Sequence, residues 1–182
     1  MSTLVAHIIP LALTLFLIGV GTVDWKIHRI PNYLTVTAAA SGVALNGLAV
    51  GPAGLLLSIE GLAVGLGMFL PLFVGRGFGA GDVKAMAAVG AFVGPRSAFF
   101  AVLWTLVAGL VAGLFVLART GGLSRARALL RSWLFQVYAL YAGGSFMPAP
   151  LAPQDPAARR FPYGIAIAIG TLVSVAPRVY RG

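Results

Sequence analysis

The residues of this chain best suited to chemistry are two aspartates, Asp24 and Asp82, each placed where a hydrophobic run meets basic and turn-forming residues. Only four acidic side chains occur among 182 residues, so a carboxylate at such a boundary calls for a physical reason. Two carboxyls about 3 Å apart cannot both ionise, and they share one proton. The ionised carboxylate can act as general base on a water while the protonated carboxyl donates to a carbonyl oxygen. Together they could form an aspartyl protease dyad.

Each aspartate also has an ordinary structural interpretation. Asp82 follows the glycine-rich residues 79–81 at a predicted helix start, where a carboxylate can cap the helix and complement its dipole. Asp24 lies close in sequence to Lys26 and Arg29 and could form an interfacial ion pair with them. The catalytic interpretation is favoured because both acids are predicted on one side of the membrane. The glycines beside Asp82 would also let an extended substrate approach the backbone closely.

The composition is that of an integral membrane protein. Hydrophobic residues make up 59% of the chain, charged residues 9%, and the mean hydropathy is +0.96. The net charge of +9 indicates membrane topology rather than nucleic-acid binding, because Lys and Arg collect in short loops between apolar runs. Cysteine is absent, and the two histidines lie far apart in the predicted topology, so neither a metal site nor a cofactor is expected. No phosphate-binding loop or serine nucleophile motif is present.

Six hydrophobic runs predict an all-α, polytopic membrane helical bundle that forms a single domain over residues 1–182. The runs cover about residues 4–23, 33–50, 53–74, 83–93, 97–118 and 161–176. The fourth run is too short to cross a bilayer alone and stops at Gly94-Pro95-Arg96. Residues 119–160 are predicted to be a cytoplasmic loop. Within that loop, residues 133–147 are interpreted as an interfacial helix, with a seventh span as the alternative.

Charge asymmetry orients the predicted bundle. With the N-terminus outside, most of the 13 Lys and Arg side chains fall on the inner side. A seventh span would leave that balance unchanged, so charge does not decide between the two models. Both models place Asp24 and Asp82 at the inner edge. Close helix contacts are predicted at three pairs of glycines four residues apart: Gly47 with Gly51, Gly61 with Gly65, and Gly109 with Gly113. In a chain with 24 glycines, such pairs also arise by chance.

The two remaining acids are separated from this pair. Glu60 lies in the third run toward the outer side, about 21 Å along the helix from the run's inner end. An intramembrane carboxyl is a functional candidate by default, but we expect Glu60 to be protonated or hydrogen-bonded to Asn46 or Ser58. Asp155 falls in a proline-rich segment and is expected to be solvated.

Three sequence blocks occur in order along the chain: Asp24 followed by residues 29–32, residues 79–84, and residues 161–166. Together they resemble the type IV prepilin peptidases, which are GxGD-type intramembrane aspartyl proteases. The resemblance implies that Asp24 and Asp82 are the catalytic pair and that Lys84 lies beside them. It also implies removal of the short basic leader of prepilin-like proteins at the cytoplasmic face of the bacterial inner membrane. The other residues that it assigns to the site are Arg29, Pro31, Asn32, Gly79, Gly81, Pro162, Tyr163 and Gly164.

The chain departs from the larger members of that family, which carry a long first cytoplasmic loop with zinc-binding cysteines and also methylate the new N-terminus. Here the loop after Asp24 is short and cysteine is absent, so no methyltransferase activity is expected. The resemblance is to the compact members associated with Flp/Tad-type pili. The expected partners are prepilin or pseudopilin substrates and the lipid bilayer. A small transporter or channel and a non-catalytic scaffold of a secretion complex remain the alternatives.

Overall fold

The computed structural model describes residues 2–74, 78–119, 131 and 163–179. The chain divides into two compact units, residues 1–109 with 161–182 and residues 110–160. All the predicted site residues belong to the first unit. Five helices are described: α1 (Ser2–Ile27), α2 (Asn32–Val50), α3 (Pro52–Val74), α4 (Ala80–Arg119) and α5 (Tyr163–Val179). The predicted interfacial helix at 133–147 and Asp155 lie outside the described residues.

The described helices form a membrane bundle. Four segments are long and apolar enough to cross a bilayer: His7–Ile27, Asn32–Val50, Pro52–Val74 and Ala80–Phe115. Tyr163–Ala176 is a shorter apolar helix. The prediction of a polytopic all-helical protein is therefore supported over the part of the chain that is described. The predicted count of six spans is not, because the fourth and fifth runs are joined in one segment and the last helix is short.

The joined segment, α4, is folded back on itself at Gly94. This residue has φ 75° and ψ 173°, which are not helical, and Pro95 follows it. The ring of Tyr163 lies near two points that are far apart along this part of the chain, Phe78 just before α4 and Gly109 within it. The ring of Phe78 lies 4.6 Å from it between centroids, and a Cβ at Gly109 would lie 3.3 Å from its Cε1 atom. Since a straight helix from residue 80 to 109 would be about 44 Å long, the chain must reverse direction, as the predicted break at Gly94-Pro95 implied.

Close backbone contacts between α3 and α4 depend on glycine. A Cβ at Gly61 would clash with the carbonyl oxygen of Gly90, and one at Gly65 would clash with the backbone of Met86. The predicted small-residue contact at Gly61 and Gly65 is therefore confirmed. The other two predicted contacts are not supported at their second glycines, Gly51 and Gly113, because a Cβ at either position would have no atom within 4 Å.

A polar cluster ties α2 and α3 to α4. The side-chain amide of Asn46 donates to Ser58 Oγ at 3.0 Å and to the carbonyl oxygen of Ala91 at 3.0 Å, and Ser58 Oγ donates to the same carbonyl at 2.8 Å. The predicted bond from Glu60 to Asn46 or Ser58 is wrong, because Glu60 is exposed. Two residues correspond to about 200° around a helix, so Ser58 faces inward and Glu60 faces outward.

Candidate active site

Asp24 lies near the end of α1, on its buried face. It follows Leu17 and Val20 at helical spacing, and its side chain is 6% exposed. The helix continues beyond the apolar run to Ile27 and ends at His28, where φ is 50°. Such a left-handed residue is a common way to end a helix. Asp24 therefore points into the bundle although the residues around it in sequence are polar.

The alternative ion pair of Asp24 with Lys26 or Arg29 does not form among the described residues. Both basic side chains are exposed, whereas Asp24 is buried. The Oδ2 atom of Asp24 instead accepts a 2.7 Å hydrogen bond from the backbone N–H of Gly164. The structural alternative of an interfacial ion pair is thus not how this carboxylate is held.

Gly164 can bind Asp24 because it lies in the first turn of α5. Backbone N–H groups in the first turn of a helix have no intrahelical acceptor, and the helix dipole favours negative charge there. The approach is close enough to require glycine. A Cβ at position 164 would lie 2.8 Å from the Cβ of Asp24 and 3.0 Å from its Oδ2. One end of α5 is therefore fixed against the last turn of α1.

Asp82 lies in the first turn of α4 and is 8% exposed. Its Oδ2 atom accepts a 2.9 Å hydrogen bond from the backbone N–H of Gly79, and its own N–H donates to the Gly79 carbonyl oxygen at 3.1 Å. This reciprocal arrangement resembles a capping box. The capping role predicted for Asp82 is present, and it also fixes the direction of the carboxyl group.

The two carboxyls come from distant parts of the sequence and are brought to the same end of the bundle. The N–H of Gly164 bonds Asp24, and the ring of the preceding residue, Tyr163, packs on Phe78 at 4.6 Å between centroids. The residue after Phe78 is Gly79, whose N–H bonds Asp82. Each carboxylate has a backbone N–H on one oxygen, which leaves the other oxygen for a further partner. Such a pair can hold one shared proton and work as an acid and a base together.

The loop between α1 and α2 packs against the start of α4. A Cβ at Gly81 would lie 3.0 Å from the Cβ of Ile30, so this glycine permits the close approach. Lys84 Nζ donates a 2.8 Å hydrogen bond to Asn32 Oδ1. Both contacts hold the end of this loop and the start of α2 against the first turns of α4, which carry Asp82.

The remaining predicted site residues are less directly engaged. Arg29 is exposed at the rim and Pro31 is half-buried as the residue that precedes α2. Pro162 lies outside the described residues.

Two apolar residues of the site were missed by sequence reasoning. Ile30 is 9% exposed within a basic loop, and Phe78 packs its ring on Phe69 at 5.1 Å and on Tyr163 at 4.6 Å between centroids. A single hydrophobic residue between charged and turn residues was the available signal for Ile30. Phe78 was hidden within a glycine-rich stretch. Ile30 packs against Gly81, next to Asp82, and Phe78 packs against Tyr163, next to the Gly164 that bonds Asp24.

The described residues contain no group of three or more His, Cys, Asp or Glu side chains that could hold a metal ion. The model of the type IV leader peptidase family matches residues 11–114, which is more than half of the chain. The matched region contains both aspartates and the Gly79–Lys84 block. Searches of curated proteins and of solved structures gave no significant match.

Proposed function

Because this chain belongs to the type IV leader peptidase family, we propose that it is a membrane-embedded aspartyl endopeptidase for prepilin-like proteins. The observation that carries the proposal is that two buried carboxyls, Asp24 from the end of α1 and Asp82 from the start of α4, lie at one end of the bundle, joined through the contact of Tyr163 with Phe78. They are two of only four acids in a chain of net charge +9. Burying two carboxyls at one end of an apolar bundle is costly, so their presence there favours a chemical role.

The pair would act on a water held between the two carboxyls. The ionised carboxylate removes a proton from the water, and the resulting hydroxyl attacks the carbonyl carbon of the scissile peptide. The other carboxyl gives its proton to the carbonyl oxygen. When the tetrahedral intermediate collapses, the C–N bond breaks and the leaving nitrogen takes a proton from the first carboxyl. One hydroxyl of the intermediate gives its proton to the second carboxylate, so the pair again holds one proton. The titrations of the pair are coupled, so neither aspartate is assigned permanently to one role.

The site would receive an extended stretch of substrate. Gly79 is exposed beside Asp82, and the absence of a side chain there allows another backbone to approach. The proposed substrate has a short basic leader followed by a hydrophobic helix. We place the cleaved bond just before that helix, which lets the helix stay in the bilayer while the leader remains in water.

We place the site on the cytoplasmic face of the bacterial inner membrane, with the N-terminus of α1 outside. The reversal at Gly94 makes α4 two antiparallel helices, which together with α1, α2, α3 and α5 could cross the membrane six times. The positive-inside distribution of Lys and Arg supports this orientation. A role in Flp/Tad-type pilus assembly without N-terminal methylation follows from the short loop between Asp24 and Asn32 and the absence of cysteine.

The proposal is tested with the purified protein in lipid vesicles. The substrate is a prepilin-like chain encoded near this gene, carrying a basic leader and one hydrophobic helix. Mass spectrometry of the products is expected to detect one cut between leader and helix. Intact substrate after prolonged incubation, with a known leader peptidase cutting the same preparation, would overturn the proposal.

A further inference from the structure

Two exposed side chains of opposite charge lie at nearly one depth, away from the aspartate pair. Glu60 is exposed on α3, about 12 Å along the helix from Pro52. Arg96 is exposed just beyond the reversal of α4. A Cβ at Gly94 would lie 3.5 Å from Leu57 Cδ2, and one at Gly61 would lie 2.9 Å from the carbonyl carbon of Gly94. The reversal therefore packs on the turn of α3 that carries Glu60.

Neither charged side chain has a polar partner within the described part of the chain. The structure records no ion pair or hydrogen bond for Glu60 or Arg96 among the residues that it describes, and the two do not bond each other. Glu60 lies inside a segment apolar enough to span the bilayer. A carboxyl in that position requires a partner or a proton, because hydrocarbon offers no hydrogen-bond partner to an unpaired polar group.

The geometry points to a second copy of this chain as the partner, with Glu60 of each copy bound to Arg96 of the other across a twofold axis. Copies inserted with the same topology present both residues at matching depths. A twofold axis along the membrane normal brings each acid to the opposite base without further adjustment, since such an interface is self-complementary.

The twofold arrangement satisfies these groups better than a pair within one copy. A guanidinium–carboxylate pair within one copy would still face lipid on its outer side, where the remaining N–H donors find no acceptor. Two guanidiniums and two carboxylates brought together can form bidentate and bridging bonds while they are shielded from lipid. The interface would lie on α3 and the α4 reversal, so the inference does not depend on the proposed catalytic activity.

The experiment measures energy transfer between labelled copies in lipid vesicles. Since the chain contains no cysteine, the exposed His7 can be replaced by a single labelled cysteine in every variant. Glu60→Arg and Arg96→Glu are each expected to weaken association by about tenfold or more, because each leaves like charges opposed. The double exchange E60R/R96E restores the pairs in reverse and is expected to recover association to within about threefold of the parent.

Variants with an uncharged side chain test the inference if a reversed charge prevents insertion into the membrane. Glu60→Gln and Arg96→Gln are each expected to weaken association, and the double Gln variant is expected to be no weaker than either single variant. Association unchanged in all single variants would overturn the inference. Lower thermal stability with unchanged energy transfer would overturn it as well, because it would place the ion pair within one copy. Absence of energy transfer between labelled copies of the parent protein would also overturn the inference.

Discussion

The backbone N–H of Gly164 donates a 2.7 Å hydrogen bond to Oδ2 of Asp24, and this bond links the first turn of α5 to the last turns of α1. The bond gives the buried carboxylate a hydrogen-bond partner, but the N–H carries no positive charge that would neutralise the carboxylate. It leaves the second oxygen of Asp24 available for a further partner. The position of α5 therefore decides how one member of the carboxyl pair is directed.

Replacing Gly164 by alanine is expected to reduce substrate cleavage by about 10- to 100-fold, because small displacements of a reacting group have large effects on rate. The new methyl group would lie 2.8 Å from the Cβ of Asp24, so one of the two helices must move. The matched control is Gly21→Ala on α1, where the Cβ position has nothing within 4 Å. Initial cleavage rates in vesicles measure both. Equal rates for the two variants would show that the Gly164 contact does not direct Asp24.

Lys84 and Asn32 are expected to act as a single unit in catalysis, because a hydrogen bond joins their side chains. It connects the start of α2 to the α4 turn that carries Asp82, at 2.8 Å between exposed side chains. Lys84→Met and Asn32→Leu are each expected to lower the cleavage rate severalfold. The double variant is expected to be no slower than the slower single variant, because one bond is lost in all three.

Lys26→Met serves as the control for this cycle, since Lys26 is exposed at the end of α1 without a bond among the described residues. It is expected to keep the parental rate. Multiplicative losses in the Lys84/Asn32 double variant would instead assign separate roles to the two side chains. Because the bond is exposed, its contribution to the free energy of unfolding is expected to be below about 1 kcal/mol.

The glycine contact between α3 and α4 is expected to be required for stability. Gly61→Ala places a methyl group against the Gly90 carbonyl and is expected to lower the free energy of unfolding by about 1–3 kcal/mol. Gly67→Ala on the same helix faces open space and is expected to be neutral or slightly stabilising. Unfolding in mixed detergent micelles, followed by circular dichroism, compares the two. Similar midpoints would contradict the close packing at Gly61.

Sequence patterns predicted the helices well because apolar length and turn residues act locally. The break at Gly94-Pro95 followed from a residue that tolerates positive φ and one that lacks an N–H. The end of α1 was placed too early, since hydropathy falls at Asp24 while the hydrogen-bonded helix continues to Ile27. Such boundaries depend on backbone bonds, which hydropathy does not report.

The candidate site was only partly predictable. Asp24 and Asp82 could be selected from their scarcity and their position at helix ends. The partner of Asp24 could not be derived from local sequence, because the bond to Gly164 arises only when α5 packs against α1. The bond predicted from Glu60 to Asn46 or Ser58 was wrong, since the hydropathy of α3 gives no indication of which face turns outward. The buried positions Gly54, Ser58, Gly61 and Gly65 define that face only once the neighbouring helix is present.

The central claim is that Asp24 and Asp82 together cut the substrate, and the most direct measurement is cleavage by their isosteric variants. Purified Asp24→Asn and Asp82→Asn proteins, in the same vesicles and with the same prepilin-like substrate, are expected to lose cleavage by on the order of 10³-fold or more. Both are expected to remain folded in the membrane, as judged by helix content. The double variant should be no slower than either single one, because the two carboxyls act as a unit. Near-normal leader removal by either folded variant would contradict the account.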